Sequence, residues 1–175
     1  MIANTEPETV PEAALPKKTK VIPPIGHMLL PGLFWAICCF TAGVVVLVFA
    51  RGWVVSAQSM QVGLIYAAGA ALAVWPSVVI ARYFVHRSSV WRWAILLFLL
   101  LGLTTFFTAC LFALQYRTYF SQWHGEPFSQ SWMWQQMFTA AGAVYTYIVL
   151  GLRLYIPIAL AGLFVTSWWL NRLPD

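Results

Sequence analysis

Three stretches of the chain, residues 28–50, 52–81 and 93–116, contain no charged side chain. About 20 consecutive apolar residues wound as an α-helix cross the roughly 30 Å hydrocarbon core of a bilayer. Inside that core every backbone N–H and C=O must find its partner within the protein. Each stretch therefore predicts one transmembrane helix. A fourth apolar run, 132–171, is interrupted only by Arg153. Over its 175 residues the chain is 61% hydrophobic and 9% charged, against roughly 25% charged residues in a soluble domain, and a water-soluble globule is excluded. The expected fold is an all-α integral membrane protein in which residues 28–175 form a four-helix transmembrane domain with an overlong fourth helix.

Residues 1–27 carry Glu6, Glu8 and Glu12 together with Pro7, Pro11, Pro16, Pro23 and Pro24. A segment so poor in large apolar side chains buries too little surface to offset its ordering entropy, so a disordered, Pro-rich cytoplasmic tail is expected. The first apolar run is longer than the roughly 7–15 residues of a signal-peptide core. Although Val55-Ser56-Ala57 has the small residues of a cleavage site, a retained anchor is the expectation.

The net charge of +5 does not point to nucleic acid, because the basic residues stand at helix ends rather than in one patch. Lys17, Lys18, Lys20, Arg82, Arg87, Arg92 and Arg172 fall on one side of the proposed spans, and Arg51 and Arg117 on the other. By the excess of cations in cytoplasmic loops, both termini are expected in the cytoplasm. Compact loops and the absence of a glycosylation sequon favour a bacterial inner (plasma) membrane.

Proline suits a first helical turn, which places the start of helix 1 near Pro31. Helix 2 should follow Ser56–Ser59 and kink at Pro76. Its Gly63, Ala67, Ala70, Ser77 and Ala81 recur at helical spacing, a stripe of small residues that lets another backbone approach closely. Helix 3, from about Val90 to Tyr116, carries Thr104, Thr108 and Gln115 on one polar face. The loop 117–131 is rich in aromatic residues of the kind that sit at headgroup level. Its His124 and Glu126 do not complete a zinc set. Cys38, Cys39 and Cys110 read as apolar packing residues.

From Trp134 to Leu170 a continuous helix would run roughly 55 Å, longer than the bilayer needs. The favoured register puts residues 154–172 in the membrane and 132–152 outside it, with Arg153 at the outer boundary, its guanidinium snorkelling to phosphates. Two others remain: a span ending near Arg153 with 154–171 along the inner surface, or a hairpin at 151–157 joining two short spans.

No Asp or Glu lies in any proposed span and no span contains a histidine, which argues against ion-coupled carriers and haem ligation. No nucleotide loop or hydrolase motif occurs. No cofactor and no catalytic activity are expected. Two functions remain. The first is a non-catalytic membrane subunit or scaffold packing with a larger complex, through the small-residue face of helix 2 and the long fourth segment. The second is a small flippase or carrier for an anionic or polyprenyl-phosphate-linked lipid, with Arg153 and Arg117 as phosphate contacts and the Thr104–Thr108–Gln115 face lining its path. The partners expected are membrane lipids and another membrane protein. The topology is checked by cysteine labelling from one side of the membrane: Lys18→Cys and Arg87→Cys are expected to react from the same compartment, and Arg117→Cys from the opposite one.

Overall fold

In the computed structural model the described residues are 24–50, 52, 54–84, 89–123, 125–126 and 128–173. The expectations for the tail up to residue 23, and for Arg51, His86, Arg87 and His124, lie outside them. The described residues form helices joined by short connections, with no strand. In order these are α1 (Ile25–Val45), continued by a π-helical turn at Val46–Ala50; α2 (Ala57–Phe84); α3 (Ser89–Phe120); α4 (Gln130–Thr146); and α5 (Ile158–Asn171). Four helical segments are long and apolar enough to cross a membrane: Gly26–Phe49, Ala57–Tyr83, Ser89–Phe120 and Gln130–Tyr155.

Local chemistry sets several of these limits. Ser56 and Ser59 form a reciprocal cap at the start of α2: the Ser56 N–H donates to Ser59 Oγ at 2.9 Å and the Ser59 N–H to Ser56 Oγ at 3.4 Å, satisfying two amides of a helix start. At α4, the Ser129 hydroxyl accepts from the Trp132 N–H at 3.1 Å. Helix α1 starts six residues earlier than expected, so Pro31 lies inside it and is buried. Pro31 still sits near enough to the helix start that its missing N–H removes only one early backbone bond. Pro76 likewise lies within α2. Helix α3 continues through Arg117 to Phe120 and passes into a 3-10 turn at Ser121–Trp123, which shortens the expected 117–131 loop.

The segment expected as one overlong helix is divided. After α4 comes a π-helical turn, Tyr147–Gly151, then a 3-10 turn, Leu152–Tyr155, and then α5 beyond Pro157. Pro157 cannot donate a helical bond and disfavours helical backbone at Ile156, whose ψ of 133° is extended. The two halves pack along α3 in succession. Phe112 of α3 meets Tyr147, whereas Trp93, near the start of α3, meets Phe164 of α5. Helices α4 and α5 thus make one interrupted return beside α3, with α5 inserted between α1 and α3.

The end of the bundle where α2 finishes, α3 begins and α5 finishes is tied by arginine. Arg82 donates from Nη2 to the Leu173 carbonyl at 2.9 Å. Arg92 donates to the Asn171 side chain at 2.8 Å and to its carbonyl at 3.2 Å, and Asn171 donates to the Ser89 carbonyl at 3.1 Å. Cations at the last carbonyls of a helix satisfy orphan acceptors and complement its dipole. Arg82 and Arg92, expected only as topological charges, also lock three helix ends together.

The small-residue stripe of α2 faces into the bundle. Gly63, Ala70, Ser77 and Ala81 are buried and Ala67 is half-buried. A Cβ on Gly63 would stand 2.7 Å from Val44 and 2.9 Å from Phe40 of α1. The tightest approach is at Gly69, outside the expected stripe, where an added Cβ would lie 2.9 Å from the backbone N and Cα of Thr108. Only a residue without a side chain permits α2 and α3 to touch there. Gly69→Ala is expected to lower stability by about 1–3 kcal/mol, the usual range for overpacking. Gly102→Ala, with nothing within 4 Å, should be neutral or stabilising by about 0.5–1 kcal/mol. Thermal unfolding of the two variants in detergent checks the contrast.

Candidate functional site

The polar interior of the bundle is a set of hydroxyls gathered around the break between α4 and α5. Tyr66 of α2 donates to the Gly151 carbonyl at 2.7 Å. The Tyr155 hydroxyl lies 3.1 Å from Thr108 Oγ1 and 3.1 Å from the Tyr147 hydroxyl. The rings pack as well as bond, with the Tyr66 centroid 5.0 Å from Tyr155 and 5.8 Å, edge-on, from Phe112. Tilted and edge-on arrangements are the favourable ones for aromatic pairs, each adding about 0.5–1.5 kcal/mol beyond area burial. Deeper in α3, Trp35 of α1 donates to Thr104 Oγ1 at 3.0 Å.

Sequence spacing alone does not reveal this cluster. Tyr66 and Gly151 are 85 residues apart and Thr108 and Tyr155 are 47 apart. The available signal is weaker: a tyrosine within an apolar run has one hydroxyl that needs a partner when buried, and Tyr66, Tyr147 and Tyr155 each pose that demand. The expected polar face of α3 is divided by the fold. Thr104 and Thr108 are buried and bonded to Trp35 and Tyr155, so each joins two helical segments. Gln115 is half-buried beside a cavity.

That cavity, about 490 Å3, opens above the tyrosine cluster. Tyr66, Tyr147 and Gly151 form its floor, Leu47, Phe112 and Leu150 line its sides, and Tyr119 and Phe120 stand at its upper rim. Both π-helical turns contribute, Leu47 from the end of α1 and Tyr147, Leu150 and Gly151 from the end of α4. A π-helical turn inserts one residue and rotates the following side chains, which is why such turns recur at binding sites. None of the cavity's lining residues is charged.

Neither candidate phosphate contact belongs to the cavity wall. Arg117 is exposed in the last turn of α3, and Arg153 is exposed within the 3-10 turn. Neither guanidinium has a hydrogen-bond or ion-pair partner among the described residues. The depth of Arg153 follows from its neighbours. Tyr66, which holds Gly151, lies about 14 Å along α2 from Ala57, and Thr108, which holds Tyr155, lies about 18 Å along α3 from Phe120. Arg153 is therefore well below the ends of α2 and α3 rather than level with them. Among the described residues no group of three His, Cys, Asp or Glu gathers as metal ligands.

Removing the Tyr66 hydroxyl takes away the side-chain bond that ties α2 to the Gly151 carbonyl. Tyr66→Phe is expected to cost about 1 kcal/mol, within the range found for hydrogen bonds between helices in membrane proteins, while Tyr145→Phe at an exposed site should cost little. Chemical unfolding in detergent checks the pair; equal stabilities would show that the break is held by ring packing alone. No family model, no curated protein and no solved structure matches the chain, so its function is argued from its own contacts.

Proposed function

We propose that the chain is a non-catalytic subunit of a larger membrane complex, crossing a bacterial plasma membrane four times with both ends in the cytoplasm, and that it docks through the surface around Arg153. The observation that carries this reading is an exposed guanidinium set in an apolar surface. Ile148, Val149, Ile156 and Leu160 around it in sequence are all exposed. A lone arginine at the centre of a bilayer-spanning helix costs about 2.5–3.5 kcal/mol on insertion scales. A carboxylate on a neighbouring protein's transmembrane helix offsets that cost with a bidentate, charge-assisted pair.

The small-residue face of α2 is not the docking surface in this reading, since α1 and α3 already cover it. Helix α4, next to Arg153 in the chain, presents an apolar face on which Met133, Trp134, Met137, Phe138 and Tyr145 are all exposed. The hydroxyls of the tyrosine cluster support a structural role, being paired with one another and with backbone.

A second reading takes the same exposed cations as contacts for a lipid phosphate. Arg153 and Arg117 have the geometry for it, because guanidinium forks match phosphate oxygens, and the arginine stem can carry the charge toward the headgroups. It makes the chain an anionic-lipid carrier or lipid-bound scaffold.

Size-exclusion chromatography after mild extraction from the native membrane separates these. The wild-type chain is expected to elute with a defined membrane-protein partner, and Arg153→Gln to elute alone with an unchanged melting temperature. A wild-type chain that elutes as a monomer, or an Arg153→Gln chain that keeps its partner, overturns the subunit reading. A fall in bound lipid phosphorus in the Arg117→Gln, Arg153→Gln double variant, with no protein partner in the wild type, favours the second.

A further inference from the structure

We infer that the cavity above the tyrosine cluster holds one hydrocarbon chain of a bilayer lipid, lying in the gap between α1 and α4. The inference rests on the helices spanning a membrane and not on docking at Arg153.

The cavity is a gap in the helix packing. Helix α2 packs against α1 and α3, and α5 packs against both α1 and α3, which closes the half of the bundle that contains it. In the other half α4 packs chiefly against α3. Leu47 from the end of α1 and Leu150 from the end of α4 therefore line the cavity without their helices packing together. Leu150, and Phe49 just beyond Leu47, are exposed. The open side lies between these two helix ends, and in a membrane that side faces lipid. From the level of Phe112 to that of Phe120 the cavity runs about 12 Å along α3, close to half of the roughly 30 Å hydrocarbon core. A chain entering between α1 and α4 thus stays within one leaflet. Tyr119 and Phe120, with ring centroids 5.1 Å apart, stand where aromatic side chains meet headgroups.

The chemistry of the wall selects hydrocarbon. At the closed end the Tyr66 hydroxyl is committed to the Gly151 carbonyl and the Tyr147 hydroxyl to Tyr155. Gln115, Tyr116 and Tyr119 lie within the last two turns of α3, toward the headgroup end, and the Gln115 side-chain oxygen is buried with essentially no accessible surface. With no charged side chain in the lining, an ionised group driven to the closed end would lose its hydration with nothing to replace it. Water is a poor filling too, since apolar cavities stay dry. An empty gap forfeits the dispersion contacts of its walls. A hydrocarbon chain restores those contacts without losing any hydration of its own. The volume of about 490 Å3 falls within the roughly 300–1,000 Å3 of small-molecule sites.

Photolabelling tests this. The full-length chain is reconstituted in dioleoylphosphatidylcholine vesicles containing a trace of phosphatidylcholine with a diazirine near the end of one acyl chain, irradiated, and mapped by tandem mass spectrometry. Leu64 of α2 and Leu114 of α3 are exposed on the outside of the bundle, and surrounding lipid should label both in any chain that spans the bilayer. Val62 and Phe112, partly buried on the cavity wall, stand two residues away on the opposite faces of the same helices. A lipid chain in the cavity is expected to label them as well. Leu150→Trp, which narrows the open side, should lose the adducts at Val62 and Phe112 and keep those at Leu64 and Leu114. Wild-type adducts confined to Leu64 and Leu114, or adducts at Val62 and Phe112 undiminished in a folded Leu150→Trp chain, would each overturn the inference. No adduct at any of the four residues would overturn the membrane-spanning reading and the inference with it. The contrast between the two faces in the wild type stands even if the variant fails to fold.

Discussion

The hydrogen bond from Tyr66 to the Gly151 carbonyl holds the architecture at its weakest point. A continuous helix satisfies its own backbone, whereas one that passes through π and 3-10 turns and then breaks at a proline frees acceptors with no helical donor. In an apolar interior such groups must be satisfied from elsewhere in the protein. Tyr66 supplies one donor from α2, and the Tyr147–Tyr155–Thr108 contacts fix the two sides of the break to each other and to α3. These side chains decide how far the chain descends as α4 before it resumes as α5. They thereby set the floor of the cavity and the level at which Arg153 emerges.

Close helix approach makes that arrangement possible. Gly69 brings α2 against the backbone of Thr108, the same threonine that receives Tyr155, and a Cβ on Gly151 would stand 2.6 Å from the Tyr147 ring and 2.7 Å from the Tyr66 hydroxyl. Gly162 does the same for α5, where an added Cβ would stand 2.8 Å from Cys38 of α1. Hydroxyl pairing and small-residue packing therefore act at the same places. In lipid, where helices gain little from hydrophobic sorting, those are the two contributions that hold a bundle together.

How far this could be read beforehand depends on the range of each interaction. The long apolar helices α1, α2 and α3 follow from charge-free runs, because transfer into an apolar phase is a sum over neighbouring residues. The seam of α2 follows from local spacing, and its inward orientation does not, since spacing identifies a face without naming what covers it. Gly69 falls outside the stripe because the crossing of α2 and α3, rather than the period of α2 alone, selects it. The tyrosine cluster joins four separate helical segments and has no local pattern. The long fourth run signalled an excess of length, with Arg153 and Pro157 as its two interruptions. The fold absorbs it at 147–157, deep beside α2 and α3, instead of at their ends.

The arginines show the same physics with opposite outcomes. Arg82 and Arg92 are held at the terminus of α5, where the last carbonyls have no helical donors and the helix dipole is negative. Their charge is matched within the chain, and Arg82 can be buried. Arg153 sits at the other breakdown of the same helical path, beside the Gly151 carbonyl that accepts from Tyr66. Its guanidinium is exposed rather than held at a helix end. The fold leaves this charge unmatched by any described residue, so whatever neutralises it, whether carboxylate, phosphate or water, approaches from outside the bundle.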